Sequence, residues 1–112
     1  ASGRVEHPLN TGTLTRSARE AMGLSRGWFE TDVEIAEPAR YAGRELVIQH
    51  GDGSSHGWTI QQIERKSNST RFHVVEEPGF LISDSTREGH YYQFPRISVP
   101  GPHHFWVLDI AR

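Results

Sequence analysis

The chain has no cysteine, which excludes disulfides and thiolate metal sites. This fits the cytosol, yet exported bacterial domains also lack cysteine, so the compartment stays open. No apolar run approaches the length of a membrane span. The first residues carry neither the basic n-region nor the apolar h-region of a signal peptide. A basic excess is missing too: the formal charge of −2 argues against a nucleic-acid-binding module. Lysine is almost absent, with Lys66 beside eleven arginines. Arginine presents a planar fork suited to carboxylate, sulfate or phosphate, although GC-rich coding produces the same bias without any recognition role.

What remains is ordinary for one folded domain. A chain of 112 residues, 35% hydrophobic and 23% charged, can bury a single core and is too apolar for disorder.

The periodicity is mostly two. Residues 1–10 are polar and contain Pro8, so they form an edge strand or an irregular lead-in. Thr11 to Thr15 is rich in β-branched residues and predicts a short strand. Ser17-Ala-Arg-Glu20 matches a capping box, and with Ala18, Ala21, Met22 and a C-cap at Gly23 it predicts one short helix over 17–23. Beyond Gly27, Phe29, Val33 and Ile35 face one way and Glu30, Asp32 and Glu34 the other. Trp28 falls on the polar face, either as a packed edge or as an exposed platform. Pro38 and Gly43 mark a connection.

The stretch from Leu46 to Glu64 organises the chain. Two β-favouring runs flank the loop Gly-Asp-Gly-Ser-Ser-His-Gly, with His50 and His56 at its mouths. Leu46 and Ile48 share a face with His50. Trp58 and Ile60 share a face, but Ile63 has the opposite parity, so a bulge at Gln61-Gln62 is needed to bring all three inward. Ser67-Asn-Ser69 then closes a hairpin between Trp58–Arg65 and Thr70–Glu76. Pro78-Gly79 is a turn, and short strands follow at 80–82, 91–94 and 97–99. The last strand, from His103 to Ile110, is apolar on both faces, placing it centrally or at an interface; Trp106 on it reads as core. About eight short strands with frequent turns predict an all-β domain spanning 1–112, a single antiparallel β-sandwich of jelly-roll type.

Three kinds of chemistry can be weighed. A divalent metal could be held by His50, Asp52 and His56, since imidazole and carboxylate suit Zn²⁺, Mn²⁺ or Fe²⁺. The spacing matches no His-x-His or His-Glu-x-x-His motif, and His103 and His104 point to opposite faces of a strand. Partly exposed structural histidine is the commoner outcome. Acid–base catalysis on a polysaccharide could draw on His90, Tyr91, Tyr92 and arginines, or on the carboxylates Asp32, Glu34, Glu76 and Glu77. Alternating carboxylates on strands usually form a solvated face, and Ser54 and Ser55 lack a nucleophile elbow. Ligand binding without chemistry needs only a displayed aromatic surface and polar neighbours. Trp58, His56, Asp52, Trp28, Tyr91 and Tyr92 are the candidates, against the expectation that large aromatics are core.

A resemblance adds to this. Ser55-His56-Gly57-Trp58-Thr59-Ile60, Thr70-Arg-Phe-His-Val74, Pro78-Gly79-Phe80, Tyr92-Gln-Phe94-Pro95 and Gly101-Pro102-His103 resemble the small C-terminal β-domains of modular bacterial polysaccharide-degrading enzymes, nearest the heparinase II/III-like lyases. The similar segments lie in the last two thirds of the chain. The resemblance implies a non-catalytic accessory domain, secreted or periplasmic, that binds an acidic polysaccharide or packs on a neighbouring catalytic domain. The catalytic residues of such lyases are expected elsewhere, so none is carried over. The alternatives are a small metal-dependent enzyme using the 50–56 loop, and a structural domain that self-associates through its two-faced last strand.

Overall fold

The computed structural model describes residues 11–19, 26–82, 89–91 and 98–111. Among them lie nine strands: β1 (Thr11–Arg19), β2 (Gly27–Thr31), β3 (Arg44–Gln49), β4 (Ser55–Lys66), β5 (Ser69–Val74), β6 (Phe80–Ile82), β7 (Gly89–Tyr91), β8 (Ser98–Val99) and β9 (His104–Ala111). Six of them close into an antiparallel barrel in the order β1-β2-β5-β4-β3-β9, and β6-β7-β8 form a small separate sheet. This closed barrel overturns the expected β-sandwich of jelly-roll type.

The reason lies in two shared strands. The first part of β4, Ser55–Thr59, pairs with β3, and the second part, from Ile60 onward, pairs with β5. In the same way Thr11–Thr13 of β1 pair with β9, while Leu14 and Arg16–Arg19 pair with β2. A register shift accompanies each handover, between Ile60 and Gln62 in β4 and between Leu14 and Arg16 in β1. A bulge bends and twists its strand, which lets one strand turn a corner and serve two sheets. The expected bulge at Gln61-Gln62 is present, and Trp58, Ile60 and Ile63 are all buried. Its consequence is closure of the barrel.

The expected short helix is also corrected. Residues 17–19 belong to β1, with Ser17 opposite Phe29, Ala18 opposite Trp28 and Arg19 opposite Gly27. The remainder of that segment, including Glu20, lies outside the described residues. Local helix propensity is a weak preference of tenths of a kcal/mol per residue, roughly, and a paired strand overrides it. The Ser17 hydroxyl caps no helix; it donates to the Phe80 carbonyl (3.3 Å) and accepts from the Ile82 amide (3.0 Å), joining β6 to β1. Among the described residues the only helical element is a 3-10 turn, Pro38–Tyr41, and no helix is long and apolar enough to cross a membrane.

The interior is filled by alternate residues of each strand. Leu14, Phe29, Leu46, Ile48, Phe72, Val74 and Phe105 are all fully buried, and the Phe72 and Phe105 rings meet at 5.1 Å. In β9, Phe105 and Val107 point inward, so Trp106, expected as core, faces outward and is only half-buried. The β6 sheet adds Phe80, Ile82 and Val99 to the same core. The hairpin turn at residues 67–68 and the Pro78-Gly79 turn are both present, the latter with Gly79 at φ 83°, a conformation that favours glycine.

Candidate functional site

Two places concentrate polar side chains: one mouth of the barrel, and the outer face of β1, β2, β5 and β4.

At the mouth, His50 continues the inward parity of Leu46 and Ile48, and His103 continues that of Phe105 and Val107. Because Gln49 stands opposite His104 in the β3–β9 ladder, the two histidines meet one step beyond it. Their Nδ1 atoms lie 2.8 Å apart with both residues buried. Two imidazoles bond this way only if one Nδ1 carries the proton and the other accepts it. Phe80 packs edge-on to His50 at 4.8 Å. The segments that follow His50 and precede His103 are tied by a hydrogen bond from the Gly51 amide to the Pro100 carbonyl (2.8 Å). A Cβ on Gly51 would collide with the Gly101 carbonyl oxygen, so this approach requires glycine. Burial above all, then repulsion from His56, lowers the His50 pKa against a smaller opposing pull from Asp52. Burial thus disfavours a charge on His50.

The other loop candidates do not converge on His50 Nδ1. Asp52 is exposed, and its carboxylate accepts from the Ser54 amide (2.9 Å) and hydroxyl (2.7 Å), which lower its pKa. That is an Asx-type turn within the loop. His56 is exposed, with its ring 6.0 Å from that of His50 and 6.3 Å from that of Trp58. Among the described residues no three His, Cys, Asp or Glu side chains gather in a group that could hold a metal ion. Trp58 is 6% exposed, packs edge-on to Phe29 at 4.9 Å and donates its indole N–H to the Glu77 carbonyl (3.0 Å). It is a core residue with its polar atom satisfied, and no stacking platform. Glu76 is engaged by Thr59, whose amide and hydroxyl both donate to its carboxylate. Asp32 and Glu34 are exposed. Tyr92 and the side chains of His90 and Tyr91 lie outside the described residues.

On the outer face, Trp28 is half-buried between arginines from its two neighbouring strands. The Arg71 guanidinium lies 3.7 Å from the indole centroid and that of Arg16 lies 5.2 Å away. Both also reach Glu30. Arg16 Nε donates to one carboxylate oxygen (2.9 Å), while Arg71 Nε and Nη2 donate to the other (3.2 and 3.0 Å). Burial alone would raise the Glu30 pKa, but the hydrogen bonds from Arg71 and Arg16, with their charges, outweigh it and hold the carboxyl below its ordinary value. One strand further on, His73 Nε2 and Glu64 are 2.9 Å apart.

A depressed carboxyl contributes stability that is present above its unfolded pKa and disappears as pH falls through the folded one. Glu30→Gln is therefore expected to lower stability by about 1 kcal/mol at neutral pH, given the solvent exposure of Arg16. The difference from the native protein should vanish in acid, as urea titrations at several pH values will show. A difference that persists unchanged below the carboxylate range would contradict this.

Sequence reasoning located Trp28 and His50 but missed Arg16, Glu30 and Arg71 as a unit, and His103 as the partner of His50. Parity carried part of the signal, since residues 103, 105 and 107 share a face. Which strands are neighbours was not available from it. No protein-family model, no curated protein and no solved structure matches the chain.

Proposed function

We propose that this chain is a non-catalytic, polysaccharide-associated accessory domain that serves a catalytic module by holding its substrate. The observation that carries this is the half-buried Trp28 on the outer barrel face, fixed among Arg16, Glu30 and Arg71. The Arg71 guanidinium stacks on the indole at 3.7 Å, so a sugar would pack on the outer edge of this arginine–indole stack, and a rigid surface loses little entropy when it binds. The sequence similarity to accessory β-domains of polysaccharide-degrading enzymes points the same way.

Affinity electrophoresis through gels containing individual polysaccharides tests the proposal. At least one polymer is expected to retard the native protein, and Trp28→Ala is expected to abolish the retardation while the far-ultraviolet spectrum stays native. Free migration of the native protein through a broad panel of neutral and acidic polymers would sink it.

A further inference from the structure

We propose that the β6–β7–β8 sheet is a lid that acid releases from the barrel, with the His50–His103 pair beneath it as the sensor. The proposal does not depend on the polysaccharide reading.

The small sheet is a separable unit. Among the described residues it shares no ladder with the barrel. The Ser17 hydroxyl ties β6 to β1 through the Phe80 carbonyl and the Ile82 amide. The rest of its hold is side-chain packing around Phe80. That ring lies 5.7 Å from Phe29, 6.0 Å from Trp58, 4.8 Å from His50 and 5.4 Å from His103. β7 is as near, since a Cβ on Gly89 would stand 3.2 Å from His103 Cε1. The two buried imidazoles therefore belong to the surface on which the sheet rests.

Their mutual bond limits the charge that this surface can hold. At 2.8 Å one Nδ1 must be bare in order to accept, so the closed structure admits a proton on only one of the two. A second would set two N–H groups and two positive charges face to face. A proton on His50 Nε2 is disfavoured as well, because that atom is buried with no hydrogen-bond partner among the described residues. The surroundings offer little compensation. Burial lowers the His50 pKa, His56 of β4 adds repulsion, and Asp52 exerts only a smaller opposing pull. The Asp52 carboxylate is exposed and already bonded to Ser54. His104 of β9 is exposed, on the opposite parity to His103. The inward residues of β6 and β8 are apolar: Phe80, Ile82 and Val99. On β7 the side chains of His90 and Tyr91 lie outside the described residues.

Lifting the sheet wets both rings, and each then titrates near the ordinary imidazole pKa of about 6.5. The closed state must keep at least one ring neutral, so the open state binds more protons in acid. The lid is accordingly held shut above about pH 6.5, and below it the opening constant rises about tenfold per pH unit for each extra proton.

Amide hydrogen exchange on the native protein tests this. The Ile82 amide donates to Ser17 across the junction and reads the opening; amides of the β4–β5 hairpin provide the internal reference. Between pH 7.5 and 5.5 the protection of Ile82 relative to the hairpin is expected to fall by about tenfold or more. The His50 and His103 ring resonances should titrate over the same interval. The double variant His50→Leu/His103→Leu should lose the pH dependence, and His104→Gln should keep it. If the double variant does not fold, the ring titration of the native protein decides by itself. A relative protection that ignores pH would overturn the proposal, as would rings that titrate while Ile82 stays protected. So would a fall that survives in the folded double variant or disappears in His104→Gln. Loss of hairpin protection together with that of Ile82 would mean that the whole domain unfolds, and would overturn it too.

Discussion

Phe29→Ala is expected to destabilise the protein by about 3–5 kcal/mol, the cost of removing a buried phenylalanine from a core that cannot fully collapse. Phe29 is fully buried, and its ring joins three parts of the fold. It comes from β2, meets Trp58 of β4 edge-on at 4.9 Å and touches Phe80 of β6 at 5.7 Å. Truncation therefore opens a cavity where the barrel wall contacts the small sheet, and loses two aromatic contacts at once. Against a total stability of roughly 5–15 kcal/mol for a domain of this kind, the variant will be marginal or unfolded at 37 °C. Guanidinium titration followed by tryptophan emission measures the loss, since Trp58 reports directly on this contact. A loss of about 1 kcal/mol or less would mean that β6 closes the gap and that Phe29 does not couple the two sheets.

The His50–His103 pair should show strong non-additivity. Removing one imidazole leaves the partner's Nδ1 buried without its hydrogen bond, a cost of about 1–3 kcal/mol, while replacing both by apolar groups of similar size can be nearly neutral. His50→Leu and His103→Leu should each destabilise within that range. The double variant should be no worse than the poorer single variant. Chemical denaturation at pH 7.5 gives the cycle. Additive losses would show that the 2.8 Å contact contributes no coupling and that the two residues act only as space-fillers. The outcome also bears on the loops, because Gly51 and Pro100, close in sequence to the two histidines, are bonded to each other.

These two sites show how much was legible beforehand. Phe29 follows from strand alternation, which marks its face as buried wherever the strand packs. His50 was placed on the face of Leu46 and Ile48, and it lies there. His103 could be assigned a face but not a partner, because a partner depends on which strand lies alongside. The same limit applies to the outer face. Trp28 and Glu30 share a parity on β2, and Arg71 shares one with His73 on β5, yet nothing local says that β1 and β5 flank β2. For Trp58 two signals pulled apart: a neighbouring glycine and a polar loop suggested exposure, while the face it shares with Ile60 pointed inward, and its ring packs against Phe29.

The sequence by itself determined the β class, most strand positions, the hairpin, the turns and the bulge at Gln61-Gln62, because alternation, branched side chains and turn residues act over a few neighbours. Tertiary structure decided the rest. Closure of the barrel requires β1 and β4 each to pair on two sides, and strand propensity is indifferent to the number of partners. The same pairing converted Ser17 from an expected helix cap into a clamp on β6, since hydrogen bonds and burial shared along a ladder exceed the small helical preference of three or four residues. The cluster of Arg16, Trp28, Glu30 and Arg71 is likewise a product of strand order, assembled from side chains far apart in the chain and held by one buried carboxylate.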